Sequence, residues 1–392
     1  MSKIPENASA RKPLVIQFAV SGGGVKRHVL ELAAGFDRNR FDMEGVFPDA
    51  ALSSVVAGDR ESRYQAAFAR LGLTAHTLEV PRWHSLRGDL RSLVALARLL
   101  RRLKPDILHC HSSKAGLIGR LAALFGGRPA VCYTPHAMYY AGQRGLKRAI
   151  YLWAERLLAP LAGAIIAVSD SEYRELRRDL RADGRLVRIN NGIGSFAKSH
   201  DTAAVRREYG LPATEPVMLT PSRCEPQKDV RTLVLAMAEV VKASPGATLA
   251  VAGEGSLRPG LERLSADLGL AERVRFLGWI ENIEPLLAAS DVVILSSRYE
   301  GLPYAILEAS AMGKPTIGSD VTGTRDCIEN GKTGFLLPPG DVEGFAREMA
   351  FLCLHPRKRE VMGRAGQAMV AEKFGVARMI RELGDLYARL VS

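Results

Sequence analysis

The chain has 392 residues, enough for two domains of ordinary size, each with its own core. Its 47% hydrophobic content suits a globular protein, and its longest apolar run, around 157–168 and broken by Pro160, falls short of a membrane span. The net charge of +12 is uneven: residues 1–195 hold 30 Lys/Arg against 17 Asp/Glu (+13) and residues 196–392 hold 24 against 25 (−1).

Residues 1–13 are polar and expected to fray, and the apolar run 14–20 is too short and wrongly flanked for a signal peptide. The protein is therefore expected in the cytoplasm. The five cysteines (110, 132, 224, 327 and 353) form no CxxC pair, which fits free thiols in a reducing compartment. Strands are predicted at 14–20, 44–47, 75–80, 107–109, 130–133, 164–168 and 186–189, with helices between most of them. The scheme restarts with strands at 217–220, 248–252, 274–277, 292–295, 316–318 and 334–336, and the chain closes with helices at 341–354, 356–371 and 376–390. Strands alternating with helices imply βαβ units and parallel sheets. Two such series imply an α/β protein of two doubly wound, Rossmann-like domains, 1–195 and 196–372, with a polar junction near 191–212. The last segment, 373–392, is a helix free to pack back on the first domain.

In open α/β sheets, ligands bind beyond the carboxyl ends of the strands, so two facing domains make a cleft. The informative residues do follow predicted strands. Ser21-Gly22-Gly23-Gly24 is a tight turn before a helix start, neither GxGxxG nor a P-loop, with Lys26 and Arg27 where a third glycine would fall. Thr134-Pro135-His136 and the turn Gly253-Glu254-Gly255 each follow a strand. Arg223 and Lys228 stand five apart after the first strand of the second series. A fork and a point charge there suit a diphosphate, and together they replace a divalent metal; a pair of ordinary surface ion pairs fits the same residues.

Glu308 lies in the otherwise apolar segment 303–312, which reads as a buried helix. An unpaired buried carboxylate would sooner take up a proton, so a partner is expected, and nothing basic lies in that helix. Pro303 suits the first helical position, placing Glu300 in the loop before it, at a mouth that the helix dipole makes positive. The pair could hold the two ends of one elongated polar ligand, or be a satisfied core carboxylate and a cap. His109-Cys110-His111 is not read as a metal site, because neighbours on a strand face opposite sides. The basic amphipathic segments 87–104 and 143–158 suit an anionic membrane surface or ordinary packing on a sheet. They lack the interleaved aromatics of a nucleic-acid site.

The ordered series Arg223…Lys228, Gly253-Glu-Gly, Glu300-x7-Glu308 and Gly331-Lys-Thr-Gly-Phe-Leu-Leu-Pro-Pro-Gly-Asp341 resembles the retaining glycosyltransferases of family 4, which have the GT-B fold. The likeness covers most of the chain and is strongest from about 216 to 341. It implies that Glu308 holds the ribose hydroxyls of a nucleoside diphosphate sugar, while Arg223 and Lys228 bind its diphosphate and steady the leaving group. Glu300, with backbone N–H groups near Gly301, Leu302 and Pro303, would contact the sugar, and His136 would approach it from the first domain. Gly23, Gly24 and Gly253 would border the donor. Ser222 stands where a glycine is usual, and Thr322-Gly-Thr-Arg-Asp326 lacks the common Gly-Gly-x-Pro-Glu form; both bear on which sugar is carried.

The expected activity is transfer of that sugar, with retention and without metal or other cofactor, to an acceptor hydroxyl on a lipid-linked glycan of surface polysaccharide. That places the protein peripherally on the cytoplasmic face of the inner membrane. A soluble acceptor, a nucleotide-sugar epimerase of the same fold and a non-catalytic membrane scaffold are the alternatives. A nicotinamide oxidoreductase would need a regular GxGxxG, which is absent.

Overall fold

The computed structural model describes residues 11–48, 63–81, 85–196 and 199–392. Of the stretch 1–13 expected to fray, 1–10 lie outside them, while Arg11 pairs with Asp106 and Lys12 donates to the Arg38 carbonyl. Thirteen strands appear among the described residues: β1 (Leu14–Ala19), β2 (Asp42–Pro48), β3 (Thr74–Leu78), β4 (Ile107–His111), β5 (Ala130–Thr134), β6 (Ala164–Ala167), β7 (Leu186–Arg188), β8 (Val217–Thr220), β9 (Thr248–Ala252), β10 (Val274–Gly278), β11 (Val292–Leu295), β12 (Thr316–Ser319) and β13 (Gly334–Leu337). They form two sheets, ordered β3-β2-β1-β4-β5-β6-β7 and β10-β9-β8-β11-β12-β13. All pairings within them are parallel. The α/β architecture of two doubly wound domains is as expected.

The central strands of each sheet are buried on both faces and mostly apolar, and their period of two sorts residues between two helix layers. Ile16, Phe18, Leu108, Cys110, Val131 and Tyr133 join the core on one face of the first sheet. Val15, Ala19, Ile107 and Cys132 join the core on the other. That second face is covered by the helix Gly24–Gly35 and by the last helix, Val376–Val391, whose Met379, Leu383, Leu386 and Tyr387 are buried against it. Gln17, His109, His111 and Thr134 share this face by strand alternation and are fully buried.

Order reverses where β1 pairs with both β2 and β4, and where β8 pairs with both β9 and β11. Crevices open at those switch points. The loop after β1 carries the glycine turn, and the loops after β8 and β11 carry Lys228 and Glu300. The domains meet face to face there. Asn191 Nδ2 donates to the Leu302 carbonyl (3.3 Å), Ser171 N donates to Asp326 Oδ2 (3.0 Å) and Gly323 N donates to Ser171 Oγ (2.7 Å).

Candidate active site

A cleft of about 1590 Å³ runs between the domains, and it is lined by Gly23, Gly24, His136, Arg223, Lys228, Gly253, Glu300, Gly301, Leu302, Pro303 and Glu308. The structure thus brings every candidate residue to one place. The glycines have separate reasons to be there. Gly23 adopts φ +63°, the left-handed region. Gly253 is packed rather than a flexible turn: a Cβ on it would lie 2.2 Å from the Ser222 carbonyl oxygen, so the loop bearing Arg223 can settle against it. A Cβ on Gly301 would lie 2.6 Å from Ala137 N, so this glycine lets the loop of one domain reach the His136 turn of the other.

The helix carrying Glu308 is Tyr304–Ala311, and Pro303 is its N-cap with ψ 113°, one residue earlier than the first-position role expected from sequence. The Pro303 carbonyl accepts from Ile306 N at 3.1 Å, which fixes the first turn. Lys228 lies in the loop before its helix rather than at the helix start, since that helix is Val230–Ala243. Its ammonium donates to Glu300 Oε1 in a short ion pair across the β8/β11 switch point. An ammonium has three donors, so Lys228 can hold Glu300 and still meet a phosphate. Arg223 is exposed on the cleft lip.

Glu308 finds its partner in the other domain. Arg27 Nε lies 4.0 Å from Glu308 Oε1, and Arg27 Nη2 lies 2.6 Å from Glu31 Oε1 one turn along the Gly24–Gly35 helix. Burial pushes the Glu308 carboxyl up from 4.5 to about 7, against the pull of Arg27. A group so poised releases its proton readily when hydroxyls donate to it. Sequence reasoning noted Arg27 only as the residue that spoils a glycine motif. The Arg27–Glu31 spacing of four was the available signal.

His136 follows β5 with φ +54°, and Ala137 has φ +94°, a left-handed pair of non-glycine residues. Glu172 pins that turn: it accepts from Ala137 N (2.9 Å) and from Val168 N (2.7 Å). Burial raises the Glu172 carboxyl to about 7. This residue was missed as well. Ser169-x-x-Glu172 reads as a helix start, and Ser169 Oγ does accept from Glu172 N (3.1 Å), but the Glu side chain is spent on the His136 turn.

Among the described residues, His28, His111 and His136 bring ring nitrogens within 4.8 Å of one another. Burial lowers all three, His28 to about 4 and the others well below the usual histidine range. The alternation expected for His109-Cys110-His111 holds, with Cys110 facing the other way, and the segment after β5 and the Gly24–Gly35 helix supply the neighbours of His111 instead. The His111–His136 contact is satisfied as a hydrogen bond (Nδ1 to Nε2, 3.1 Å). His28 Nε2, also buried, has no hydrogen-bond partner among the described residues.

Residues 23–192 match the family model for the glycosyl transferase 4-like domain, and residues 201–369 match that for glycosyl transferases group 1. The chain is 30% identical over 318 residues to the alpha-D-kanosaminyltransferase of Streptomyces kanamyceticus, covering 76% of this chain and 82% of that protein. It is 29% identical over 315 residues to the UDP-Gal:alpha-D-GlcNAc-diphosphoundecaprenol alpha-1,3-galactosyltransferase of Escherichia coli, covering 78% and 81%. The fold matches that of Anabaena Alr3699/HepE, solved in complex with UDP and glucose, with a TM-score of 0.80 and 21% identity over 96% of this chain and 100% of that one. With two facing Rossmann-like domains and these relatives, the chain belongs to the family 4 (group 1) glycosyltransferases of GT-B fold, enzymes that take their sugar from a nucleotide-sugar donor.

Proposed function

We propose that this glycosyltransferase transfers its sugar with retention at the anomeric carbon, to the hydroxyl of a lipid-linked glycan in surface polysaccharide assembly. The convergence of Glu308, Lys228, Arg223 and His136 on one interdomain cleft carries the reading. In it, Glu308 takes the ribose hydroxyls, Arg223 and Lys228 take the diphosphate, and Glu300, His136 and the Gly301–Pro303 backbone face the sugar. The two cations supply the charge that a divalent metal would otherwise bring, and their attraction grows as the leaving diphosphate gains charge. No cofactor is required.

What could take the acceptor proton supports retention. The Glu300 carboxylate is engaged by Lys228, and His136 has little affinity for a proton in its buried setting. The departing phosphate oxygen is then the strongest base beside the acceptor, on the face the leaving group vacates. The test is the product of the first turnovers with a donor of known anomeric configuration, read by NMR. The same configuration is expected; the inverted anomer would overturn the assignment.

The lipid-linked acceptor rests on the surface of the first domain. The helix Gly145–Leu158 exposes Leu146 (76%), Ile150 (55%), Trp153 (65%) and Leu157 (60%), spaced as one ridge, with Lys147 and Arg156 beside it. Leu86 and Leu90 are exposed on the basic helix Leu86–Leu103. An apolar ridge flanked by cations suits the surface of an anionic bilayer, on its cytoplasmic face. The opposite flank of the Gly145–Leu158 helix, through Tyr151 and Ala154, lines the cleft, so a docked membrane would lie next to the acceptor entrance. No helix among the described residues is long and apolar enough to cross a membrane. The Escherichia coli relative, named for a diphosphoundecaprenol-linked substrate, is consistent with this reading.

A further inference from the structure

Beneath the cleft, four side chains form a continuous buried chain of hydrogen bonds that ends on His136. Tyr387, from the last helix, has its hydroxyl 3.2 Å from Gln17 Nε2 and 2.7 Å from His109 Nδ1. Gln17 Oε1 lies 2.8 Å from His111 Nε2. His111 Nδ1 lies 3.1 Å from His136 Nε2. His109 Nε2 closes a side branch on Thr134 Oγ1 at 2.7 Å.

With the Gln17 amide oriented so that Oε1 faces His111 and Nε2 faces Tyr387, the donors and acceptors admit one consistent assignment. An amide oxygen only accepts, so His111 carries its proton on Nε2 and donates it to Gln17. His111 Nδ1 is then a lone pair, and the partner it faces must donate, so His136 carries its proton on Nε2. The Gln17 amide, with its oxygen committed to His111, donates through nitrogen to Tyr387, whose hydroxyl in turn donates to His109 Nδ1. Each ring is neutral, because burial disfavours the charged form.

We propose that Tyr387, Gln17 and His111 are positioning residues that hold His136 as the Nε2–H tautomer, leaving Nδ1 as a hydrogen-bond acceptor for a hydroxyl of the donor sugar. The proposal rests on the reading that His136 faces that sugar. It gives the last helix a function beyond covering the first sheet: a residue 251 positions after His136 in sequence sets which of its nitrogens is basic. It also states what the histidine selects. A sugar must offer a hydroxyl donor at that point, and a deoxy or O-methyl sugar there would be refused.

The direct test uses the full chain labelled with nitrogen-15 in its histidines, with the His136 signals assigned by their loss in His136→Gln. Long-range proton–nitrogen correlation near neutral pH should show both His111 and His136 protonated on Nε2. A His136 proton on Nδ1, a charged His136 ring, or stoichiometric zinc retained by the purified protein would overturn the proposal, since zinc would require lone pairs where this chain places protons. The kinetic arm compares His111→Asn, whose side-chain oxygen can replace the Nδ1 acceptor, with His111→Leu, which cannot. The Leu variant should lose about 10- to 100-fold in kcat with donor KM little changed, and Asn should recover most of that loss. Equal losses in the two, or none in either, would contradict it. Because both changes are buried, Tyr387→Phe serves as a second variant. It removes one hydroxyl, and a His136 tautomer mixture with lowered kcat is expected, whereas an unchanged tautomer and kcat would count against the chain. Donor titration separates the two levels. If the nucleotide sugar fails to bind the wild-type chain, the reading of the site falls while the tautomer result still stands or falls on its own spectrum.

Discussion

Glu308 shows how one residue draws its properties from both domains. Its apolar helix keeps water out, and Arg27, 281 positions earlier, is the one group among the described residues that opposes the rise in its carboxyl. The raised value has a stability consequence with a definite sign. The neutral acid is favoured in the folded chain, so its contribution is complete below the unfolded value near 4.5 and is lost as pH climbs through about 7. Lys228 is already paired with Glu300, and in the proposed reaction it gains a second partner as the leaving group develops charge. Lys228→Met should lower kcat by about 100-fold with a smaller change in donor KM, because leaving-group charge grows toward the transition state. Steady-state kinetics decide it; a pure KM effect would make Lys228 a ground-state contact only. At this scale the sequence was most readable where neighbours are local. Glu300, Glu308, Arg223, Lys228 and His136 stood out by type and by position after strands. Arg27, Glu172 and His111 did not, because each acts through a partner that only folding brings near.

Elements were more legible than their contacts. All thirteen strands were anticipated within two residues at either end, since short apolar runs between turn-forming residues leave few other choices. The helix Gly145–Leu158 shows what such reading omits. Its pattern gave a basic amphipathic helix, but not which side faces in. The answer is a buried ion pair: Arg120 Nη2 lies 2.7 Å from Glu155 Oε2, Tyr133 Oη donates to Glu155 Oε1 (3.1 Å), and the Arg120 guanidinium sits 4.3 Å from the Tyr133 ring centroid. With Glu155 held inward, the Trp153 ridge must face out. Glu155→Leu should cost about 3–5 kcal/mol, because it strands a fully buried guanidinium. Urea unfolding measures this, and the double variant Arg120→Met/Glu155→Leu should recover most of the loss. A single variant as stable as wild type would mean that the pair does not orient the helix.

Across the whole molecule, charge and connectivity divide the labour. The first domain carries all the excess positive charge, the exposed ridge and the His136 turn; the second carries Arg223, Lys228, Glu300 and Glu308. The chain then returns to the first domain through Val376–Val391, after Val376 N donates to the Ile193 carbonyl (3.2 Å) at the crossing. The basic half was evident from composition alone, yet its apolar ridge became visible only once packing showed which leucines stay outside. Sedimentation with anionic vesicles should capture the chain at low salt and release it as screening rises, and Trp153→Glu should weaken capture about tenfold. No capture at low salt would point to a soluble acceptor.

The proposed donor site turns on an ionised Glu308 holding the ribose. Calorimetric titration of the cognate nucleotide sugar from pH 6 to pH 8 tests it directly, in the wild type and in Glu308→Gln. Wild-type affinity should rise about tenfold over that range as the carboxyl near 7 gives up its proton, with proton release on binding, and the variant should bind about 10- to 100-fold more weakly with most of that pH dependence gone. A variant that binds as tightly as wild type, with the same pH profile, would contradict it.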